Sequence, residues 1–286
     1  MDYRLNTFLI LCETMNYRIT AEQLHLTQPA VTKQIQSLEQ TYGTKLFIYD
    51  GKKLKKTESC HILEKYAVSL KYNYDELIRA LRRQKHRTLK IGATKTIGEY
   101  VIGGMISKYL SVPENNITLE VDNTHNLLSM LHSNKLDFAI VEGIFDKNEY
   151  GFQLLRHEPF IGICEKNSPL NGMEVDLKTL FSYPLIVRER GSGTRNILER
   201  ELDEAGYSLN SFTRVTEISS FHIISELVSS GCGISFVYNA VYENNKNLGK
   251  FKVKGFGHEH EFNLVYLKNT SAHSLAEEFI KTKGGN

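Results

Sequence analysis

The sequence predicts two fold classes in one chain: an N-terminal all-α winged helix-turn-helix with a long linker helix, then a C-terminal α/β body of two Rossmann-like subdomains. Three observations predict it. Two short helical patterns abut at His25-Leu26-Thr27, and the second opens on a capping residue and a proline. A single apolar stripe then repeats at heptad spacing through residues 60–81. Beyond residue 88, strand-like and helix-like runs alternate, the order that builds parallel sheets through right-handed crossovers.

The N-terminal elements follow in order. Leu5, Phe8, Leu9 and Cys12 place one apolar face on a helix over residues 3–15, and a second helix fits residues 17–24. The third, residues 27–42, starts with Thr27, whose hydroxyl can accept from a free N–H of the first turn. Pro29 sits in that turn, where a missing donor costs little. Val31, Ile35 and Leu38 form its core stripe, and Gly43 ends it as a C-cap glycine. The opposite face carries Gln28, Thr32, Lys33 and Gln36, amides, a hydroxyl and a cation suited to base edges and phosphates in a major groove. Asp50-Gly51 between two short strand-like runs signals a hairpin. Lysines 52, 53, 55 and 56 make its return strand a basic wing, with Lys52 and Lys53 assigned to the phosphate backbone.

Thr57 caps a long helix to about residue 84. Its heptad seam is Cys60, Leu63, Ala67, Leu70, Tyr74, Leu77 and Leu81, read as a dimerisation surface. Two copies would hold two recognition helices at a fixed separation, which implies an inverted-repeat target in double-stranded DNA. Arg79, Arg82, Arg83, Lys85 and Arg87 complement the dipole at the helix end, and residues 84–88 are read as a hinge.

Charge separates the two halves. Residues 1–87 hold 15 Lys+Arg against 9 Asp+Glu, whereas the remainder is mildly acidic, so a polyanion partner is expected at one end only. No apolar run is long enough for a membrane span, and no signal-peptide pattern opens the chain. Cys12, Cys60, Cys164 and Cys232 are scattered, which fits reduced thiols in a cytoplasm and neither a disulfide framework nor zinc.

In the C-terminal half, residues 89–93, 117–121, 138–141, 185–187 and 234–237 read as strands. Residues 97–110, 126–133, 194–205 and 220–229 read as helices. Sheets of this kind bind ligands beyond their strand ends, at helix N-termini. Four junctions are rich in small polar residues: Thr94-Lys95-Thr96, Glu142-Gly143, Arg190-Gly191-Ser192-Gly193-Thr194-Arg195 and Ser219-Ser220. With Lys95, Arg190 and Arg195 they describe an anion-receptive cleft between two subdomains.

The run Ala21-Glu22-Gln23-Leu24-His25-Leu26-Thr27-Gln28-Pro29-Ala30-Val31-Thr32-Lys33-Gln34-Ile35, with Phe8, Leu38-Glu39, Gly43, Leu46-Phe47 and Lys56-Thr57-Glu58, resembles the DNA-binding domain and linker helix of LysR-type transcriptional regulators. Residues 89–268 resemble that family's periplasmic-binding-protein-like effector domain. Leu89-Lys90-Ile91-Gly92-Ala93-Thr94, Val141-Glu142-Gly143 and Arg188-Glu189-Arg190-Gly191-Ser192-Gly193-Thr194-Arg195 look like the subgroup that regulates cysteine biosynthesis, sulfur assimilation and carbon-fixation operons. The resemblance implies that Thr94, Thr96, Gly143, Arg190, Ser192, Thr194 and Ser220 border the effector cleft, and Lys95 joins them as a candidate contact.

It further implies a homodimer or homotetramer, an inverted-repeat operator, a small metabolite effector, RNA polymerase as a further candidate partner, and no cofactor. The implied domains are 1–58 (winged helix-turn-helix), 59–87 (linker and hinge) and 88–286 (effector binding). The last divides into a first subdomain of about 88–161 and 266–286 and a second of about 162–265. The chain is expected to cross out near Phe160 and return near Leu264, with a last helix at 274–282. Departures stand at Thr20, where alanine is usual, at Tyr49, near which arginine is usual, and at Ser59-Cys60, where Ala-Gly is usual. Lys95 replaces a small hydroxyl residue and points to a more acidic ligand, and Gly104 replaces a common proline.

Other chemistries are weaker. Gly231-Cys232-Gly233 has no adjacent base and reads as a small buried thiol. His258-Glu259-His260 lacks a third ligand for a metal. Gly191-Ser192-Gly193 lacks the Gly-Lys-Ser/Thr of a nucleotide-hydrolysing loop, so nucleotide hydrolysis is not expected, and the chain is read as a regulator and not an enzyme. The alternatives are a small-molecule binding protein or enzyme with an incidental helical domain, which would form no salt-sensitive DNA complex, and an architectural DNA binder, which no metabolite would stabilise.

Overall fold

The structure, a computed structural model, describes residues 1–82, 87–143, 145–256 and 259–281. They divide into two compact units. The first begins at Met1 and also takes in residues 132–134 and 267–274; the second holds the rest of the α/β body.

In the first unit, α1 (Tyr3–Thr14), α2 (Tyr17–Gln23) and α3 (Gln28–Tyr42) precede a hairpin of β1 (Phe47–Asp50) and β2 (Lys53–Lys56), then α4 (Glu58–Leu81). Phe8, Leu11, Val31, Ile35, Leu38 and Leu46 are its buried centre. The unusual Thr20 is fully buried and shares a hydrogen bond with Thr14 Oγ1 (2.6 Å), so the polar replacement brings its own partner. Glu39, also buried, accepts from the Leu46 N–H (2.9 Å) and from Lys45 Nζ (2.7 Å), tying α3 to the hairpin. The hairpin register pairs Asp50 with Lys53, so the two-residue loop is Gly51-Lys52 and not Asp50-Gly51. Gly51 alone of that pair has a positive φ (+61°), the pattern of a II′ turn.

The heptad seam expected on α4 is divided between two faces. Cys60 and Ala67 are fully buried, and Cys60 Sγ lies 3.7 Å from Cys12 Sγ of α1. The small Cys60 side chain lets α1 pack closely, and both residues belong to the buried interior. The exposed stripe is instead Ile62, Tyr66, Leu70, Tyr74, Leu77 and Leu81. Arg83 and Lys85, and residues 84–86 of the expected hinge, lie outside the described residues; Arg87 begins the next strand.

The second unit is built on one sheet ordered β4 (Asn115–Val121), β3 (Arg87–Ala93), β5 (Phe138–Glu142), β12 (Glu259–Leu267), β6 (Tyr150–Glu165), β11 (Leu248–Val253) and β7 (Glu174–Val175), with β10 (Ser235–Tyr238) also on β6. β3 is parallel to both β4 and β5. A separate parallel pair, β8 (Leu185–Val187) and β9 (Val215–Glu217), is bridged to Ile234 just before β10. The helices are α5 (Lys95–Tyr100), α6 (Gly103–Tyr109), α7 (Thr124–His132), α8 (Leu177–Leu180), α9 (Gly193–Glu204), α10 (Phe221–Ser229), α11 (Asn239–Glu243) and α12 (Ala272–Lys281). The single helix expected over 97–110 is broken at Val101-Ile102, where two N–H groups share the Ile97 carbonyl and Gly103-Gly104 follow. Both glycines are poor helix formers, and fully buried Ile102 anchors the break.

The crossings are long strands. β6 runs sixteen residues, and its Phe160 falls inside the strand, pairing with Tyr238 of β10. On the return, β12 pairs with β5 from Phe262 to Val265, around the expected Leu264. Phe138, Phe160, Tyr238, Phe251, Phe262 and Phe279 fill the core around these crossings. The expected end of the last helix, residue 282, lies outside the described residues.

Candidate nucleic-acid interface and ligand cavity

α3 is set by its two ends. Thr27 Oγ1 accepts from the Ala30 N–H (3.3 Å), Pro29 occupies the first turn, and Gly43 caps the far end at φ +66°. Between them Val31, Ile35 and Leu38 are buried while Gln28, Lys33 and Gln36 are exposed; Thr32 is half-buried and donates to the Gln28 carbonyl (3.0 Å). Gln34 is held from the other side by Thr7 (2.6 Å), which leaves the four candidate readers on one open face. Thr27→Ala should lower stability by about 1 kcal/mol through the lost cap. Urea unfolding of the variant checks this, and an unchanged midpoint would contradict it.

The hairpin sorts its lysines. Lys55 pairs with Asp50, and Lys56 pairs with Glu64 at 2.7 Å. Lys52 in the turn and Lys53 on β2 are exposed and have no ion pair among the described residues, so they are the pair still open to a phosphate.

In the second unit a cavity of about 1180 Å³ lies where β3, β5 and β8 end. Thr94, Lys95, Gly143, Arg190 and Ser192 line it. Gly143 has φ +90°, a conformation that lets the chain turn away directly after β5 and that a side chain would strain. Ser192 is the N-cap of α9 and its hydroxyl makes no capping bond; Ser192, Gly193 and Asn196 bring the start of that twelve-residue helix to the cavity wall.

Three expected contacts do not line the cavity. Thr96 is fully buried and donates to Glu142 Oε1 (3.3 Å), Thr194 is buried within α9, and Ser220 is spent capping α10 by accepting from the Ile223 N–H (3.4 Å). Arg195 is also absent from the lining. It is buried, donates to the Arg188 carbonyl (3.2 Å), and pairs with Glu199 and Glu217, which cancels the positive charge assigned to the cleft.

Other residues supply what the junction motifs omitted. Arg188 lines the cavity while stacked over Phe221 (4.2 Å) and paired with Glu189 (2.7 Å). Arg200, Lys147, His260 and Glu142 line it too. Arg188 and Glu142 stand inside the quoted motifs, and a test for charged residues at strand ends would have found both. Among the described residues, five cations (Lys95, Lys147, Arg188, Arg190, Arg200) face five carboxyl groups (Asp122, Glu142, Glu189, Glu259, Glu261), so this is a mixed-charge site and not a simple basic funnel. Two of each are mutually paired, Arg188 with Glu189 and Lys147 with Glu261 at 2.9 Å. Burial pushes the Glu142 carboxyl up to about 7, against the Thr94 and Thr96 hydroxyls and Arg188, which favour its charged form. Cys232, expected to be buried, is exposed. His258 of the His-Glu-His run lies outside the described residues.

A winged helix-turn-helix with an open amide-rich helix, on one chain with a two-subdomain α/β body around a polar cavity, defines a ligand-responsive transcription regulator. Known proteins agree with that class. Residues 3–61 match the bacterial regulatory helix-turn-helix protein family of lysR type, and residues 82–282 match the LysR substrate binding domain. The chain belongs to the LysR family of transcriptional regulators.

It is 27% identical over 286 residues to the HTH-type transcriptional activator CmpR of Synechocystis sp. (strain ATCC 27184 / PCC 6803 / Kazusa), covering 97% of this chain and 93% of that protein. It is 28% identical over 290 residues to the HTH-type transcriptional regulator CysL of Bacillus subtilis (strain 168), covering 97% and 96%. The structure of a full-length OxyR point variant from Pseudomonas aeruginosa shares the fold at a TM-score of 0.66 and 19% identity, covering 98% of this chain and 93% of that one. Among the described residues, no helix is long and apolar enough to cross a membrane.

Proposed function

We propose that this regulator binds an inverted-repeat operator as a dimer or a pair of dimers, and that a small anionic metabolite in the cavity of the second unit controls its DNA binding or promoter activation. In this reading residues 1–58 read DNA, 59–87 join protomers and 88–286 bind the effector. Gln28, Thr32, Lys33 and Gln36 reach base edges, Thr27 and Pro29 fix the start of their helix against the backbone, and Lys52 and Lys53 hold phosphates. Thr94, Lys95, Gly143, Arg190 and Ser192 hold the effector, with Arg188 and Arg200 as added cations.

The observation that carries the effector site is convergence. The ends of β3, β5 and β8 and the start of α9 meet at one cavity, each contributing small polar residues or a cation. Ligands of open α/β sheets bind beyond strand C-termini, and helix starts favour anions. Coupling follows from linkage: a ligand that prefers one arrangement of the two subdomains shifts the population of that arrangement, and with it the spacing of paired recognition helices.

The test is a thermal-shift screen of sulfur oxyanions, sugar phosphates and carboxylates on the full chain. An effector at a hundred times its Kd should add ~2.7 kcal/mol of stability. Arg190→Ala and Ser192→Ala should each lose that gain. Equal ligand affinity in both variants would place the site elsewhere. Lys52→Ala with Lys53→Ala should weaken binding to all duplexes and reduce the salt slope by roughly one unit per lost contact. Altered base preference with an intact slope would contradict the wing assignment.

A further inference from the structure

Glu142 ends β5 inside this cavity with only 6% of its surface exposed. Its Oε1 accepts from Thr96 Oγ1 (3.3 Å), while Oε2 is out of solvent and makes no geometrically formed hydrogen bond among the described residues; the Thr94 hydroxyl, buried and equally without a formed bond, lies near enough to act on the carboxyl. The carboxyl group lies beside the start of α9, since a Cβ on Gly193 would sit 3.8 Å from Oε1. A buried polar atom without a partner inside a ligand cavity is a group waiting for one. Two negative charges cannot share so desolvated a space at low cost, so an incoming anion and an ionised Glu142 exclude each other.

We propose that Glu142 is a specificity-determining residue of the effector site, binding its ligand as the neutral acid and donating a hydrogen bond from Oε2 to an oxygen of a small oxyanion. Each effector bound above the acid range of Glu142 therefore takes up one proton. The proposal rests on the anion-cavity reading given above.

The surroundings support it. Burial, set against the Thr94 and Thr96 hydroxyls and Arg188, leaves the carboxyl at about 7, and an anion alongside moves it further up. Arg188 after β8 and Tyr238 on β10 act electrostatically on it, and Lys95 on α5, Arg200 on α9 and His260 on β12 share its cavity. Arg188 is committed to Glu189, and Lys95 donates to the Ser219 carbonyl, which limits what either does for Glu142. A ligand that presented only N–H or O–H groups would need the carboxylate instead. An oxyanion needs the acid, and the cations at the cavity wall select the oxyanion.

Calorimetric titration of the full chain with sodium sulfate and sodium oxalate tests this, from about pH 5.5 to about pH 8.5 at constant ionic strength and in buffers of different ionisation heat. Neither anion titrates in that window. Affinity should be level at the acid end, then fall roughly tenfold per pH unit above about 7, with proton uptake approaching one per ligand. Glu142→Gln keeps a donor that cannot ionise, and should bind with a flat pH profile and no uptake. A pH slope that persists in Glu142→Gln, or wild-type binding without proton uptake at the alkaline end, would overturn the proposal while leaving the anion site standing. Failure of both anions to bind the wild type at any pH would remove the anion site itself and Glu142's role with it.

Discussion

In the proposed dimer, aspartate at both Leu70 and Leu77 is expected to separate the protomers and lower the affinity for a two-fold operator by roughly 10²–10⁴-fold. That is the range lost when two linked binding events become independent. The two leucines are 55% and 52% exposed in the single chain and sit in a stripe with Ile62, Tyr66, Tyr74 and Leu81 along a 24-residue helix, about 29 Å of apolar edge. A soluble chain rarely leaves such a continuous surface to water unless a second surface covers it. Because neither leucine belongs to the buried centre of the first unit, its unfolding free energy should change by no more than about 0.5 kcal/mol. Sedimentation velocity with a parallel operator titration checks the prediction. A variant that stays dimeric would move the dimer contact off this stripe.

The second large effect is a pH-dependent gain in stability on Glu142→Gln. In the native protein burial raises this carboxyl from 4.5 to about 7. Between those values the folded state keeps a proton that the unfolded chain has already lost. Stability is therefore full below the unfolded value and falls as pH rises through the folded one, by about 1.4 kcal/mol per unit and ~3 kcal/mol in all. Glutamine has no proton to lose. The variant should match the wild type near pH 4 and exceed it by ~3 kcal/mol near pH 8 in ligand-free buffer. Urea unfolding across that range gives the answer. Parallel curves would mean that Glu142 ionises in the folded state as easily as in the unfolded one.

Local chemistry made the N-terminal half legible. Thr27, Pro29 and Gly43 mark the ends of α3, and a cap or a left-handed glycine needs only its immediate neighbours. Spacing misled where two surfaces compete for one helix. Cys60 and Ala67 fit the heptad on α4, but small side chains also fit a packed interior, and both are buried, Cys60 against Cys12 of α1. Only the large residues of the stripe remained outside.

In the C-terminal half the short central strands were readable from their apolar runs. β6 was not, because its sixteen residues pass through different environments and show no single period. The junction motifs located the cavity but not the direction of each side chain. Thr96 and Thr194 are each the second residue of a helix, turned about 100° from the cavity-lining residue before them, and are buried. Arg195 looked like free charge because its partner Glu217 is distant in sequence. Glu142 reads only as a junction residue, because nothing in Val-Glu-Gly says that the carboxylate is desolvated.

Whether two copies of α3 read DNA together is decided most directly by selecting bound duplexes from a random pool with the full chain. A dyad-symmetric sequence is expected, with half-sites one or more helical turns apart, in steps of about 10–10.5 base pairs. The Gln28→Ala protein should keep that spacing and lose preference at one base position in each half-site, worth ~1–3 kcal/mol of discrimination. Enrichment of a single asymmetric site, or of no sequence at all, would contradict paired reading by α3.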